Sequence, residues 1–215
     1  MVALSIQMSQ VKVVSLDAEG TLVTPDFSHT LWHEGIPALY AQRYGIELSR
    51  AKEVVTGEYD KIGERRLEWY DIKYWLDYFD LGPSEPLIRS YQNKSRYYPE
   101  VREVLSSLAA RYRLVVSSGT PEELLLPQLE GIKSYFARIF SSTSLCGQLK
   151  SPDFYLYVCQ AMNVEPKELV HVGDNWQFDF VNSREVGILA FHLDRSGNSD
   201  ESLVDLKQLE PYLLT

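Results

Sequence analysis

The C-terminal half of the chain alternates short β-branched runs with helical patterns, and this alternation restricts the fold more than any other feature. Residues 114–117 (LVVS), 138–141 (RIFS), 169–172 (LVHV) and 188–193 (ILAFHL) read as strands. Residues 121–130, residues 151–162 and a stretch near 178–186 read as helices between them. Pro127 is expected to bend or end the first of these. Upstream, residues 11–16 (VKVVSL) read as a buried strand. Residues 99–111 read as a helix with Val101, Val104, Leu105 and Leu108 on one face. Strands and helices in this order imply parallel βαβ units, hence an α/β protein with a doubly wound parallel sheet.

One interval breaks the rhythm. Between the strand ending at Leu16 and the strand starting at Leu114 lies a segment too long for an ordinary βα loop. Residues 27–98 within it hold nine of the 14 tyrosines and three of the four tryptophans. The clearest piece is residues 68–79 (EWYDIKYWLDYF). Its helical patterns predict an inserted helical domain over residues 25–98, with residues 1–24 and 99–215 forming the sheet core. Most of its aromatics are expected to pack helix against helix.

In an open parallel sheet, ligands bind outside the C-terminal strand ends, so the residues there are the candidates for chemistry. Asp17, Ala18, Glu19, Gly20, Thr21 and Leu22 follow the first strand. Ser117, Ser118, Gly119 and Thr120 close the second, and Lys150 comes after the third. Gly173, Asp174 and Asn175, then Asp179, follow the fourth. Carboxylates crowded in this way repel unless a hard cation sits among them. Mg²⁺ suits a few carboxylates, waters and a phosphate oxygen. A carboxylate can attack phosphorus, and a lysine beside it can neutralise developing charge. The net charge is −9, from 30 acidic and 21 basic residues, which argues against a nucleic-acid partner. An anionic substrate would therefore need a locally positive site.

The ordered set Asp-x-acid-Gly-Thr-Leu, Ser-Ser-Gly, Lys and Val-Gly-Asp-x4-Asp resembles the haloacid dehalogenase superfamily over nearly the whole chain. The resemblance implies a Rossmann-like core with a C1-type cap. It implies a Mg²⁺-dependent phosphomonoester hydrolase working through an aspartyl-phosphate on a small phosphorylated metabolite. Asp17 is then nucleophile and metal ligand. Glu19 is the general acid/base, with its carbonyl on the metal. Ser117, Ser118 and Gly119 bind phosphate, and Lys150 orients nucleophile and phosphoryl group. Asp174 is a metal ligand, and Asp179 holds a metal-bound water or a neighbouring loop.

Three departures stand out. Glu19 occupies a position where the family's phosphatases usually carry Asp. Its Asp-x-Glu-Gly-Thr string with Ser-Ser-Gly is similar to the enolase-phosphatase branch, whereas Val172-Gly173-Asp174 fits that branch less well. Ser151 separates Lys150 from Pro152 and is expected to cap the helix that follows. The same scaffold also accommodates 2-haloacid dehalogenation, phosphonate hydrolysis, phosphoglucomutase-type transfer or a catalytically impaired binding protein. Glu19 and the Asp174/Asp179 pair favour phosphate.

Structural roles are expected elsewhere. Thr120 and Pro121 read as a helix entry, with Thr120 as N-cap and Pro121 at N1, Asn175 as a turn stabiliser, and His171 and His192 as packing or hydrogen-bonded core residues. His29 and His33 read as surface or hinge residues, and Arg65 and Arg66 as solvated, with a possible use toward an anionic tail. Cys146 and Cys159 suggest neither a disulfide framework nor a zinc site. Residues 1–10 carry no secretory pattern and no membrane span is evident, so a cytoplasmic monomer or homodimer is expected.

Overall fold

Side chains on a strand alternate between faces, and the central strands here are buried on both. The computed structural model describes residues 10–199 and 201–213. Residues 1–9, on which the absence of a secretory pattern mostly rests, lie outside the described residues. Five strands, β1 (Val13–Leu16), β2 (Arg113–Ser118), β3 (Phe136–Ser141), β4 (Leu169–Gly173) and β5 (Leu189–His192), form one sheet. Their order is β3-β2-β1-β4-β5 and every pairing is parallel. The fold is the doubly wound α/β sheet that the sequence predicts.

The two faces differ in a way that positions the site. Val14, Leu16, Leu114, Val116, Val170 and Val172 pack on one side with Val101, Val104, Leu105 and Leu108 of the Val101–Ala109 helix. On the other side, Val13, Val115 and Leu169 pack against Phe154, Tyr155, Val158 and Met162 of the Pro152–Met162 helix. That second face turns polar toward the strand ends. Ser15 of β1 sits beside His171 of β4 in register, and Asp17 follows two residues on.

The described residues divide into two units, one made by the chain up to Val23 and from Tyr97 onward, the other by Thr24–Arg96. Thr24 thus falls with the inserted unit, and Tyr97 and Tyr98 with the sheet unit. The reason lies in backbone pairing: Val23 bridges Tyr97 antiparallel, and Tyr98 N–H donates to Leu22 O at 3.2 Å. The inserted unit is helical, with Leu48–Ile62 as its longest element. Trp75 and Tyr59, ring centroids 4.6 Å apart, form its aromatic centre.

Local expectations meet mixed outcomes. Ser151 caps the Pro152–Met162 helix by accepting from Phe154 N–H. Pro127 does not end its helix, which runs Glu122–Leu129. Thr120 is not a cap: the helix begins at Glu122, whose N–H is taken by Ser144 Oγ at 2.8 Å, while Thr120 O accepts from Ser141 Oγ. The stretch near 178–186 opens as a wide π-type turn, Trp176–Val181, before the Asn182–Glu185 helix. Among the described residues no helix is long and apolar enough to cross a membrane.

Leu105 is fully buried where helix meets sheet. Leu105→Ala is expected to cost about 2–5 kcal/mol of unfolding free energy. A urea denaturation series read by circular dichroism measures it.

Candidate active site

The C-terminal ends of β1, β2 and β4 lie side by side, and their loops carry the groups that the sequence singled out. Asp17 N–H donates to Val172 O at 2.9 Å, which extends the ladder one residue beyond β1 and fixes the carboxylate's origin. Lys150 reaches the same point: its Nζ donates to Asp17 Oδ1 at 2.9 Å and also to Asp179 Oδ1. All three side chains are nearly or fully buried. One oxygen each from Asp17, Asp174 and Asp179 lie within 4.8 Å of one another.

Two glycines make this density possible. A Cβ on Gly173 would overlap the Asp179 carboxylate, and a Cβ on Gly20 would overlap that of Asp174. Gly20 also has φ of 79°, a left-handed conformation that side chains disfavour. The wide turn at Trp176–Val181 aims Asp179 back over the end of β4, where its Oδ2 accepts from Asn175 N–H at 2.9 Å. Asn175 has the turn-stabilising role expected of it: its Oδ1 accepts from Phe178 N–H. Asp174 is open to solvent on its outer side. Its carbonyl is hydrogen-bonded to His192 Nε2.

Behind these charges lies a buried polar chain. Ser15 Oγ donates to Ser117 Oγ at 2.8 Å and meets His171 Nδ1 at 2.9 Å. His171 Nε2 lies 3.0 Å from both Asp179 Oδ1 and Tyr155 Oη. Tyr155 Oη donates to Phe178 O. Ser117 is thus tied to the Lys150 cluster, and its hydroxyl accepts from Ser15 while keeping its own proton. Ser118 Oγ accepts from Thr120 N–H at 3.3 Å, and Gly119 follows at the partly exposed tip. Glu19 is half-buried in the loop after β1.

The electrostatics follow from this packing. Burial alone would lower the Lys150 pKa, but Asp17 and Asp179 outweigh it and hold the ammonium firmly charged. Burial would raise Asp179, yet the Lys150 charge and the His171 hydrogen bond hold it below the usual carboxylate range. Burial pushes Asp17 up, against the pull of Lys150. Burial at the strand end, and then the charges of Asp17 and Asp179, push Asp174 up to about 7. A pocket with three carboxylates against one ammonium is the electrostatic form of a site for a hard cation, and a donor set of oxygens alone suits one.

The structure therefore brings together Asp17, Lys150, Asp174 and Asp179, with Ser117 and Ser118 at the end of β2 and Gly119 and Glu19 on the adjoining loops. His29, His33, Arg65 and Arg66 lie in the inserted unit. The His29 and His33 rings lie with centroids 4.7 Å apart, tilted by 43° to one another, and Arg66 pairs with Glu68. Cys146 and Cys159 are free thiols. Sequence reasoning missed Ser15 and Tyr155 as parts of the site, while His171 is the buried, hydrogen-bonded residue expected and borders the site as well. The available signal was a serine and a histidine inside otherwise apolar strands, VVSL and LVHV.

The haloacid dehalogenase-like hydrolase family profile matches residues 11–180, and the chain belongs to that family. It is 27% identical over 195 residues to a phosphoglycolate phosphatase of Chromobacterium violaceum, covering 85% of each chain. Among solved structures it resembles a HAD phosphatase from Thermococcus onnurineus, with a TM-score of 0.83, 26% identity, and coverage of 94% of this chain and 98% of that one. A 2-haloacid dehalogenase from Pseudomonas syringae pv. Tomato shares the fold, with a TM-score of 0.70, 19% identity, and coverage of 95% and 98%.

In the metal-free protein the folded state keeps a proton on Asp174 to about pH 7, whereas the unfolded chain loses it near 3.8. The folded state then binds more protons across that window, so this group's contribution to stability falls as pH rises through it. Asp174→Asn removes the effect. In EDTA, the difference in thermal unfolding midpoint between variant and native protein is expected to move in the variant's favour as pH is raised from ~5 to ~8.

Proposed function

We propose that this hydrolase is a Mg²⁺-dependent phosphomonoesterase acting on a small phosphorylated metabolite through an aspartyl-phosphate on Asp17. The observation that carries the reading is Lys150, buried between Asp17 and Asp179 at the strand ends. Its charge keeps a buried carboxylate ionised and offers a counter-charge to an incoming phosphoryl group.

Asp17, Asp174 and the Glu19 carbonyl would hold the cation directly, with Asp179 behind them. Asp179 already uses one oxygen on Lys150 and the other on Asn175 N–H, which suits an outer position better than direct ligation. When bound, Mg²⁺ supplies charge neutralisation between Asp17 and the substrate's phosphoryl oxygens. Ser117, with its proton kept by the bond from Ser15, and the Ser118–Gly119 peptide hold those oxygens. Asp17 attacks phosphorus, and Glu19 gives its proton to the leaving oxygen as the P–O bond breaks. Glu19, now a carboxylate, takes a proton from the water that releases phosphate from Asp17.

The named activities of the relatives lend the substrate class its support, and phosphoglycolate is a sensible first test compound. The Thr24–Arg96 unit serves as the cap that selects among phosphate esters, in a monomeric or homodimeric cytoplasmic enzyme. No nucleic-acid or membrane partner is expected. Dehalogenase chemistry needs neither an acid at position 19 nor a metal carboxylate at position 174, and both are present.

Phosphate release from p-nitrophenyl phosphate is expected to require Mg²⁺, to stop in EDTA, and to fall by on the order of 10³-fold or more in Asp17→Asn. Undiminished turnover by Asp17→Asn, or halide release from 2-haloacids without metal, would overturn the assignment. Saturating Mg²⁺ should also raise the unfolding midpoint of the native protein and not that of Asp174→Asn.

A further inference from the structure

Outside the catalytic cluster, one side chain is engaged with the nucleophile loop from a distant part of the sequence. Arg195 follows β5, and its guanidinium donates from Nε to Gly20 O at 3.0 Å and from Nη2 to Thr21 O at 2.6 Å. We propose that Arg195 is a positioning residue that fixes the Gly20–Thr21 turn and, through it, the reach of the Glu19 carboxyl group. The inference rests on the general acid/base role given to Glu19 above.

The loop's own hydrogen bonds leave this work to be done. Within residues 17–23, the N–H groups of Leu22 and Val23 converge on Ala18 O at 2.7 and 2.9 Å, and Gly20 N–H donates to Val23 O at 2.8 Å. The carbonyls of Gly20 and Thr21 point the other way, and it is Arg195 that meets them. A planar guanidinium presents two N–H groups in a fixed fork, so it can hold two successive carbonyls at once. A lysine ammonium has no such fork.

The arginine is itself held. Its guanidinium carbon lies 3.5 Å from the centroid of the Tyr98 ring, and Nη2 is 2.7 Å from Glu100 Oε1. Side-chain exposure is 18% for Arg195 and 9% for Glu100, so this ion pair is shielded from solvent. On the opposite side, the Asp174 carboxylate lies directly over Gly20 Cα. The peptide after Glu19 is therefore fixed between a metal-site carboxylate and an arginine fork. Glutamate is a methylene longer than aspartate and has an additional torsion, so its proton is delivered well only if its backbone anchor does not move. A displacement of about 1 Å at such a point costs roughly 10²-fold in rate.

The test compares two esters with leaving groups that differ in their need for a proton. p-Nitrophenyl phosphate leaves as a stable anion, and phenyl phosphate leaves far less readily without protonation. Their kcat/KM values report the transfer to Asp17. Glu19→Gln is expected to lower kcat/KM for phenyl phosphate at least tenfold more than for p-nitrophenyl phosphate. Arg195→Gln should show the same bias, roughly tenfold, and little further loss when combined with Glu19→Gln. Arg195→Lys should fall between Arg195→Gln and the native protein. Equal losses on both esters, or losses that multiply in the double variant, overturn the proposal. If Arg195→Gln does not fold, Glu100→Gln and Arg195→Lys carry the same comparison, with thermal midpoints showing that each is folded. Failure of the parent reading looks different: Glu19→Gln itself then treats the two esters alike, and the Arg195 proposal falls with it.

Discussion

A buried ammonium between two buried carboxylates is the interaction on which the rest of the site depends. Lys150 is about as buried as Asp17, and Asp179 is fully buried. Taking such charges out of water costs several kcal/mol per ion, and removing one partner of a buried pair typically costs about 3–5 kcal/mol. The arrangement is tolerable only because every charge is matched or hydrogen-bonded. Lys150 and the His171 ring meet the Asp179 oxygen that faces the interior, and Asn175 N–H donates to the other. Three carboxylates nevertheless face one ammonium, and Asp174, which makes no ion pair with Lys150, lies at the solvent-exposed edge of the cluster.

The cluster also explains why one face of the sheet changes character along its length. Val13, Val115 and Leu169 are core residues that hold the Pro152–Met162 helix. Further along the same strands the face bears Ser15, Ser117 and His171, and then Asp17. The helix contributes both kinds of contact: Phe154 and Val158 to the apolar part, and the Tyr155 hydroxyl to the polar part. Fold and site are thus built from one surface, and the helix that starts just after Lys150 keeps that lysine in place.

This pattern accounts for what could be read in the sequence. β-Branched runs and the residues directly after them are local features, so the parallel sheet, Asp17, Lys150 and Asp174 could be named from the chain alone. Ser15 and Tyr155 gain their roles only across 102 and 24 residues of sequence separation, to Ser117 and Asp179, and no local pattern encodes that. Thr120 shows the reverse failure. Its local signature fits a cap, but Ser144 and Ser141 take the partners that it would have used. Near residues 178–186 the sequence reads as an ordinary helix, whereas a wider turn occupies 176–181. The wider turn there answers to a tertiary demand, since it returns Asp179 to Lys150 over a glycine that leaves room for it.

Glu19 is where these constraints meet. On the proposed mechanism the loop after β1 brings a nucleophile, an acid and a metal-binding carbonyl into a few residues, and its turn has a left-handed glycine that no side chain could replace without striking Asp174. A loop so constrained on one side cannot adapt to a longer acid by moving toward Asp174. Its remaining freedom is on the other side, where its carbonyls face Arg195, and Arg195 is fixed by Tyr98 and Glu100. Both of those residues follow closely on the return of the chain from the inserted unit at Arg96. The segment that re-enters the sheet unit therefore also sets the outer wall of the nucleophile loop. On the proposed mechanism, the geometry of proton delivery from Glu19 is then determined as much by that wall as by the acid itself.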